Sequence, residues 1–288
     1  VQTHLEFEIY KDIVMKKVES LQYGVIFKKA FCVPEIFRAF VKDFLNIDLN
    51  IDHVETEKSF KPAIGKIATR FDLFAEDKEN RIVVDIQHKR LPDHYHRFLY
   101  YHCIAMVETA VSSKDYSPGL SVYTLVVLTS GDRYKKDVGI IDFDPKDIEG
   151  RPFGEISHKV MYVCPKYAND KTPAVWREWM TAINDSLDEE VDESEYTHPE
   201  ILRVFDLIKK DLTTPDEYAA MKDEYSFEAL LKQKDQEKHK ARLEGRKEGI
   251  QETARKTARN LVKLGKLSHE EISQITGLSS EEVKKFSL

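Results

Sequence analysis

The chain has 288 residues, 41% of them hydrophobic and 33% charged, with a formal net charge of −7. That is enough apolar material for one large globular domain with a smaller appendage, and it excludes a disordered tail or a fibre. No apolar run approaches the roughly 20 residues that span a bilayer and the first residues lack the apolar centre of a secretory signal, while the three cysteines, Cys32, Cys103 and Cys164, have no CxxC spacing; the expectation is a soluble cytoplasmic protein with reduced thiols.

The first clear element is helical. Ile36, Phe37, Phe40, Val41 and Phe44 recur at helical spacing, and Pro34 suits a first turn, so the spacing predicts a helix over 34–46. Three extended stretches follow, at 51–56, 68–76 and 81–88, the last rich in β-branched residues. After Pro92 the period changes, and Phe98, Tyr101, Ile104, Ala105 and Val107 support a helix to about 113. SVYTLVVLTS from Ser121 reads as a buried central strand, with further strands at 138–143 and 158–163. The order helix, three strands, helix, strand predicts a mixed α/β core over 1–165.

Beyond it the chain reads as helical. A helical extension is expected over 166–230, with pieces at 174–184, 199–212 and from 215 onward. Within it, 185–200 carries eight carboxylates and no Lys or Arg, the signature of a solvated acidic linker. The region 231–288 reverses the balance, with twelve basic against five acidic residues from Lys232 to Lys266. A positive end is therefore concealed by the net charge, and it reads either as a nucleic-acid surface or as a self-solubilising helix. Ser268 with Glu271 and Ser279 with Glu282 form two capping boxes, with Gly277 between them. Leu261, Leu264, Leu267, Ile272, Ile275, Leu278, Val283 and Phe286 are the expected core of this small module, which is either helix-turn-helix-like or an oligomerisation cap.

Chemistry is suggested by two aspartates. If the segment after Glu76 closes a hairpin with Glu76 facing Arg81, Asp72 falls opposite Asp85, with β-carbons about 5 Å apart. At an effective dielectric near 20, two such charges repel by about 3 kcal/mol, which a shared proton or a divalent cation relieves. Alternation puts Asp85, Gln87 and Lys89 on one face, where Gln87 or Lys89 would orient a water or stabilise developing negative charge. The competing reading is an edge hairpin whose polar face meets solvent. His88, His94, His96 and His102 lack a zinc-ligand spacing, and neither GxxxxGK[ST] nor GxGxxG is present, so no nucleotide cofactor is expected.

Asp72 followed thirteen positions later by Asp85-Ile86-Gln87, then Arg97, Tyr100 and Tyr101 in HRFLYYH, resembles the PD-(D/E)XK nuclease motif. With VIFKKAF at 25–31 and the tail EGRKEG…LSHEEISQITGLSSEEVKKF, the chain more closely resembles the Rpn family of recombination-promoting nucleases, also called PD-(D/E)XK family transposases. The resemblance implies a restriction-endonuclease-like core that cuts DNA with Mg²⁺ or Mn²⁺, in recombination or a mobile-element context. Asp72 and Asp85 would be the metal ligands, Gln87 would stand where the wider superfamily has Lys, and Lys89 is a candidate migrated lysine. Arg97 and Tyr101 would bind phosphate or brace the site, with Lys28 and Glu35 as further supports. Asp85 and Gln87 depart from the commoner Glu and Lys, so the alternative is a weak or inactive DNA-binding or assembly protein that keeps the fold. A homodimer is plausible because cutting two strands needs two sites.

Overall fold

The computed structural model describes residues 15–60, 69–88, 94–109 and 119–287. The chain divides into two compact units, one ending at Glu224 and the other beginning at Tyr225.

In the first unit, a short strand β1 (Lys16–Lys17) precedes α1 (Gly24–Phe31) and α2 (Pro34–Leu45). Pro34 opens α2 and Asn46, at φ 57°, closes it in the left-handed conformation that Asn tolerates. Ile36, Phe37, Phe40, Val41 and Phe44 are buried, as their spacing predicts. Then come β2 (Glu55–Phe60), β3 (Thr69–Glu76), β4 (Asn80–Gln87), α3 (His94–Val107), β5 (Ser121–Leu128), β6 (Val138–Asp142) and β7 (Lys159–Val163). Among the described residues these six longer strands form one mixed sheet in the order β2-β3-β4-β5-β7-β6. The hairpins pair antiparallel, whereas β4 with β5 and β5 with β7 are parallel.

Both faces of the sheet are covered. Leu73, Ala75, Ile82, Val84, Leu125 and Val127 pack with α1, α2 and two later helices, α4 (Ala174–Asp185) and α5 (Pro199–Leu207). The opposite face carries Val83, Val122, Val126 and Val160 against Phe98 and Ala105 of α3. Burial on two faces is why β4 and β5 read as nearly continuous apolar runs.

Three expectations are corrected in this unit. The first strand lies at Glu55–Phe60, not 51–56. Ile51 and Val54 are buried as loop anchors in the first core, while β2 occupies the sheet edge, where alternating polar residues suffice and charges block unwanted pairing. Nor is the acidic stretch a loose linker. It contains β8 (Glu190–Val191), which pairs with β1, and it buries Ser186, Val191 and Tyr196. Its charge is neutralised from elsewhere: Lys16 pairs with Glu193 and Lys210 with Glu189, while Tyr196 donates to Asp185 at 2.6 Å. With Trp179, Met180, Ile183, Ile201, Val204 and Phe205 in the same core, the extension expected at 166–230 belongs to the first unit up to Glu224.

The long helix α6 (Pro215–Leu264) starts in the first unit, where Glu217 pairs with Lys29, and continues into the second. Within the second unit it packs with α7 (His269–Thr276) and α8 (Ser280–Lys284), both opened by the expected capping boxes, with Gly277 left-handed between them. The small core is Ala258, Ile272, Leu278 and Val283, flanked by Leu261, Val262 and Phe286. Leu264 and Ile275 are instead well exposed, at 63% and 59%, and Leu267 lies at 37%; the apolar residues that α6 turns to its partners are Ala254, Ala258, Leu261 and Val262.

Candidate active site

The geometry begins at the turn between β3 and β4. Asp77 Oδ1 accepts from the Glu79 and Asn80 amides at 2.9 and 2.8 Å, and the Asp77 amide donates to the Asn80 carbonyl. This closure sets Glu76 opposite Arg81 and Leu73 opposite Val84. One rung further in that register stand Asp72 and Asp85, and here side chains enter the ladder. The Asp72 amide donates to Asp85 Oδ1 at 3.3 Å, and the Ile86 amide donates to Asp72 Oδ2 at 2.9 Å.

Asp85 is only 4% exposed, and its Oδ2 has no hydrogen-bond partner among the described residues. Burial first, and the neighbouring Asp72 charge second, raise the Asp85 carboxyl well above its ordinary range. Asp72, with a quarter of its side chain exposed, is also raised by burial, opposed by the Ile86 amide and by the charges of Lys28 and Arg97. A buried carboxylate oxygen facing a like charge is a costly arrangement unless a cation or proton completes it. Arg81 and Arg70 do not fill the gap: Arg81 pairs with Glu76 and donates to the Ala105 carbonyl, and Arg70 pairs with Glu57.

Glu57 is the residue the sequence reading missed. It lies on β2 between the pairs Thr56 with Leu73 and Lys58 with Phe71, hence across from Asp72, and has φ 60°. A left-handed non-glycine residue costs about 1–3 kcal/mol and persists only where its surroundings enforce it. Both strands skip a residue at this level. On β2, Glu55 and Lys58 share a face and pair at 2.9 Å; on β3, Phe71 and Phe74 join one cluster while Leu73 joins the other. The double skip presents Glu57 to Lys28 of α1 and to Arg70, and holds the Lys28 ammonium 4.0 Å from Asp72. Placing the strand four residues early hid this signal.

The other candidates divide. Gln87 ends β4 two residues after Asp85, and its carbonyl accepts from the Thr129 amide. Arg97 stacks over Phe98 and Tyr101 at 5.3 and 5.2 Å, and its charge reaches both aspartates. Tyr101 packs edge-on against Phe71 and Phe98, a bracing contact. Glu35 is not brought to the pair: it sits in the first turn of α2 beside Arg38 and Arg203. Lys89 lies outside the described residues. Of the histidines, His88 bonds Thr129 and His102 bonds Thr124, each at 2.9 Å.

Among the described residues, no group of three or more His, Cys, Asp or Glu side chains is placed to hold a metal ion. Glu57 is taken up by two cations, which leaves Asp72 and Asp85 as a pair. Mg²⁺ is commonly held by one or two carboxylates with water filling its remaining positions, so the paired charges and the unsatisfied Asp85 oxygen fit such an ion. In comparisons with family models, curated proteins and solved structures, none matches this chain. No helix among the described residues is long and apolar enough to cross a membrane.

Proposed function

We propose that this chain is a metal-dependent DNA endonuclease built on a restriction-endonuclease-like core, with Asp72 and Asp85 as its catalytic pair. The observation that carries the reading is the buried Asp85 carboxylate, unsatisfied at Oδ2 and in register with a second carboxylate. The order α2, β2, β3, β4, α3, β5 accords with it, as does the place of Asp85 near the C-terminal end of β4, an inner strand of the sheet.

Asp72 and Asp85 would hold Mg²⁺ or Mn²⁺, which when bound supplies Lewis acidity toward a phosphodiester and a water of lowered pKa. The chain's own groups do the rest. The Ile86 and Asp72 amides fix the two carboxylates, so neither must reorganise. Lys28 and Arg97 place positive charge beside the pair, suited to a phosphate as negative charge grows on it. Glu57 holds Lys28 near Asp72 rather than on it, which leaves the carboxylate open to a cation. Gln87, on the Asp85 face, offers an amide that both donates and accepts, suited to orienting water.

Incubating labelled duplex and single-stranded oligonucleotides with the purified chain and Mn²⁺ tests this reading. Cleavage that is abolished by Asp72→Asn supports it; cleavage undiminished by that change refutes the assignment.

A further inference from the structure

A second feature lies on the same face of the sheet. Asp85, Val126, Tyr162 and Gly139 are successive register partners across β4, β5, β7 and β6. With strands about 4.8 Å apart, Tyr162 stands two strands, about 10 Å, from the candidate catalytic carboxylate. Above Gly139 and Tyr162 opens a cavity of about 360 Å³, walled by Tyr95, Tyr134 and Ile141, with Arg133 at its mouth.

The cavity is built rather than incidental. Asp132, 1% exposed, accepts from the Tyr95 hydroxyl through one oxygen, and through the other from the Tyr134 and Lys135 amides at 2.9 and 3.1 Å. One buried carboxylate thus fixes both an aromatic wall and the loop that presents Tyr134. The Tyr162 hydroxyl donates to the Tyr95 carbonyl at 3.2 Å, and its ring lies 4.6 Å from that of Tyr95. At the floor, Gly139 has no side chain, and a β-carbon there would meet only ordinary contact with Tyr162 at 3.8 Å. The space therefore exists because this position is glycine, not because the backbone demands one.

Arg133 lines the cavity, and Lys135 and Lys136 follow it on the same loop; all three are exposed and make no ion pair among the described residues, in a chain whose formal net charge is −7. Tyr134 is 57% exposed, with the Arg133 guanidinium 4.8 Å from its ring centre. Aromatic faces beside uncompensated cations are what a single nucleic-acid strand requires: rings for bases, charge for phosphates. We propose that this cavity takes one unstacked base of a single DNA strand against Tyr134 and Tyr95, with the flanking phosphates on Arg133, Lys135 and Lys136. The inference rests on the reading of the chain as acting on DNA. It assigns the face beside the carboxylate pair to an opened strand rather than to an intact duplex.

The test uses the full chain carrying Asp85→Asn, in EDTA, with a fluorescent oligothymidine strand followed by anisotropy. Tyr134→Ala, and separately Gly139→Val to fill the floor, should each weaken binding about tenfold or more. A strand of equal length with abasic sites should bind the parent as weakly as the oligothymidine binds these variants. Arg133→Gln with Lys136→Gln should lower the slope of log affinity against log salt by about 1.4. An iododeoxyuridine strand should crosslink to Tyr134 or Tyr95. Affinity within twofold of the parent in both cavity variants, or crosslinks confined to residues after 225, would overturn the proposal. The outcome is separable from the nuclease reading: cleavage with unchanged Tyr134→Ala binding removes the cavity alone, and cavity-dependent binding without cleavage removes the nuclease alone.

Discussion

Replacing Asp85 by Asn should stabilise the protein, a reversal of what loss of a buried hydrogen-bonded group usually does. Asp85 is buried and faces Asp72 across the ladder. At about 5 Å and an effective dielectric near 20, the repulsion relieved by neutralising it is about 3 kcal/mol. Against this, the Asp72 amide exchanges a charged acceptor for a neutral one, a loss of about 1 kcal/mol. Where Asp85 is ionised, at a pH above its raised value, the expected net gain in the metal-free protein is thus about 2 kcal/mol. Because the folded pKa of Asp85 is raised, its favourable contribution is fully present below the unfolded carboxylate value, near 3.9, and is lost as pH rises through the raised value. The advantage of Asn should therefore grow with pH over that window and vanish in acid. Both tryptophans, Trp176 and Trp179, lie in the first unit, so urea unfolding followed by tryptophan fluorescence in EDTA reports this unit. Mg²⁺ at ten times its dissociation constant should stabilise the wild type by about 1.4 kcal/mol and the variant by far less. A variant whose stability relative to the wild type does not rise as the pH is raised would refute the repulsion argument.

Three further outcomes follow from the packing. His102, fully buried beside Thr124 and stacked on Phe143, has its pKa lowered by burial to about 4, so the unfolded chain binds the proton more tightly. Stability should be full above about pH 6.5 and fall by up to about 3 kcal/mol towards pH 4, and His102→Gln should lack that part of the acid loss in urea titrations at several pH values. Phe40→Ala removes a ring that touches Phe31, Phe44 and Trp179, and should cost about 3–5 kcal/mol by the same fluorescence assay. Ser268→Ala breaks the capping box of α7 at a cost of about 1 kcal/mol; it should lower the thermal stability of helical circular dichroism while leaving the tryptophan transition unmoved.

Legibility in the sequence followed the range of the interactions. The α2 helix, the strands β3, β4 and β5, and both capping boxes were readable because each depends on spacing within its own segment. The facing of Asp72 and Asp85 was readable because a short turn propagates register along only a few rungs. The strand at 55–60 was not, since an edge position lets polar residues form it and nothing local marks its ends. Glu57 went with it, its place depending on a skip in both strands and its partners Lys28 and Arg70 lying on other segments. The acidic stretch read as solvated because its neutralising partners, Lys16 and Lys210, are remote or lie outside it. Glu35 was drawn to Arg203 of α5 by a contact across 168 positions, which spacing does not show.

The most direct test of the carboxylate pair is cleavage of supercoiled plasmid by the purified chain in Mg²⁺ or Mn²⁺, run beside Asp85→Ala and beside EDTA. Nicking or linearisation by the wild type that is lost in both controls is the predicted result. Equal cleavage by wild type and Asp85→Ala, or intact plasmid under every metal condition, would contradict the claim that this carboxylate pair is the centre of a nuclease.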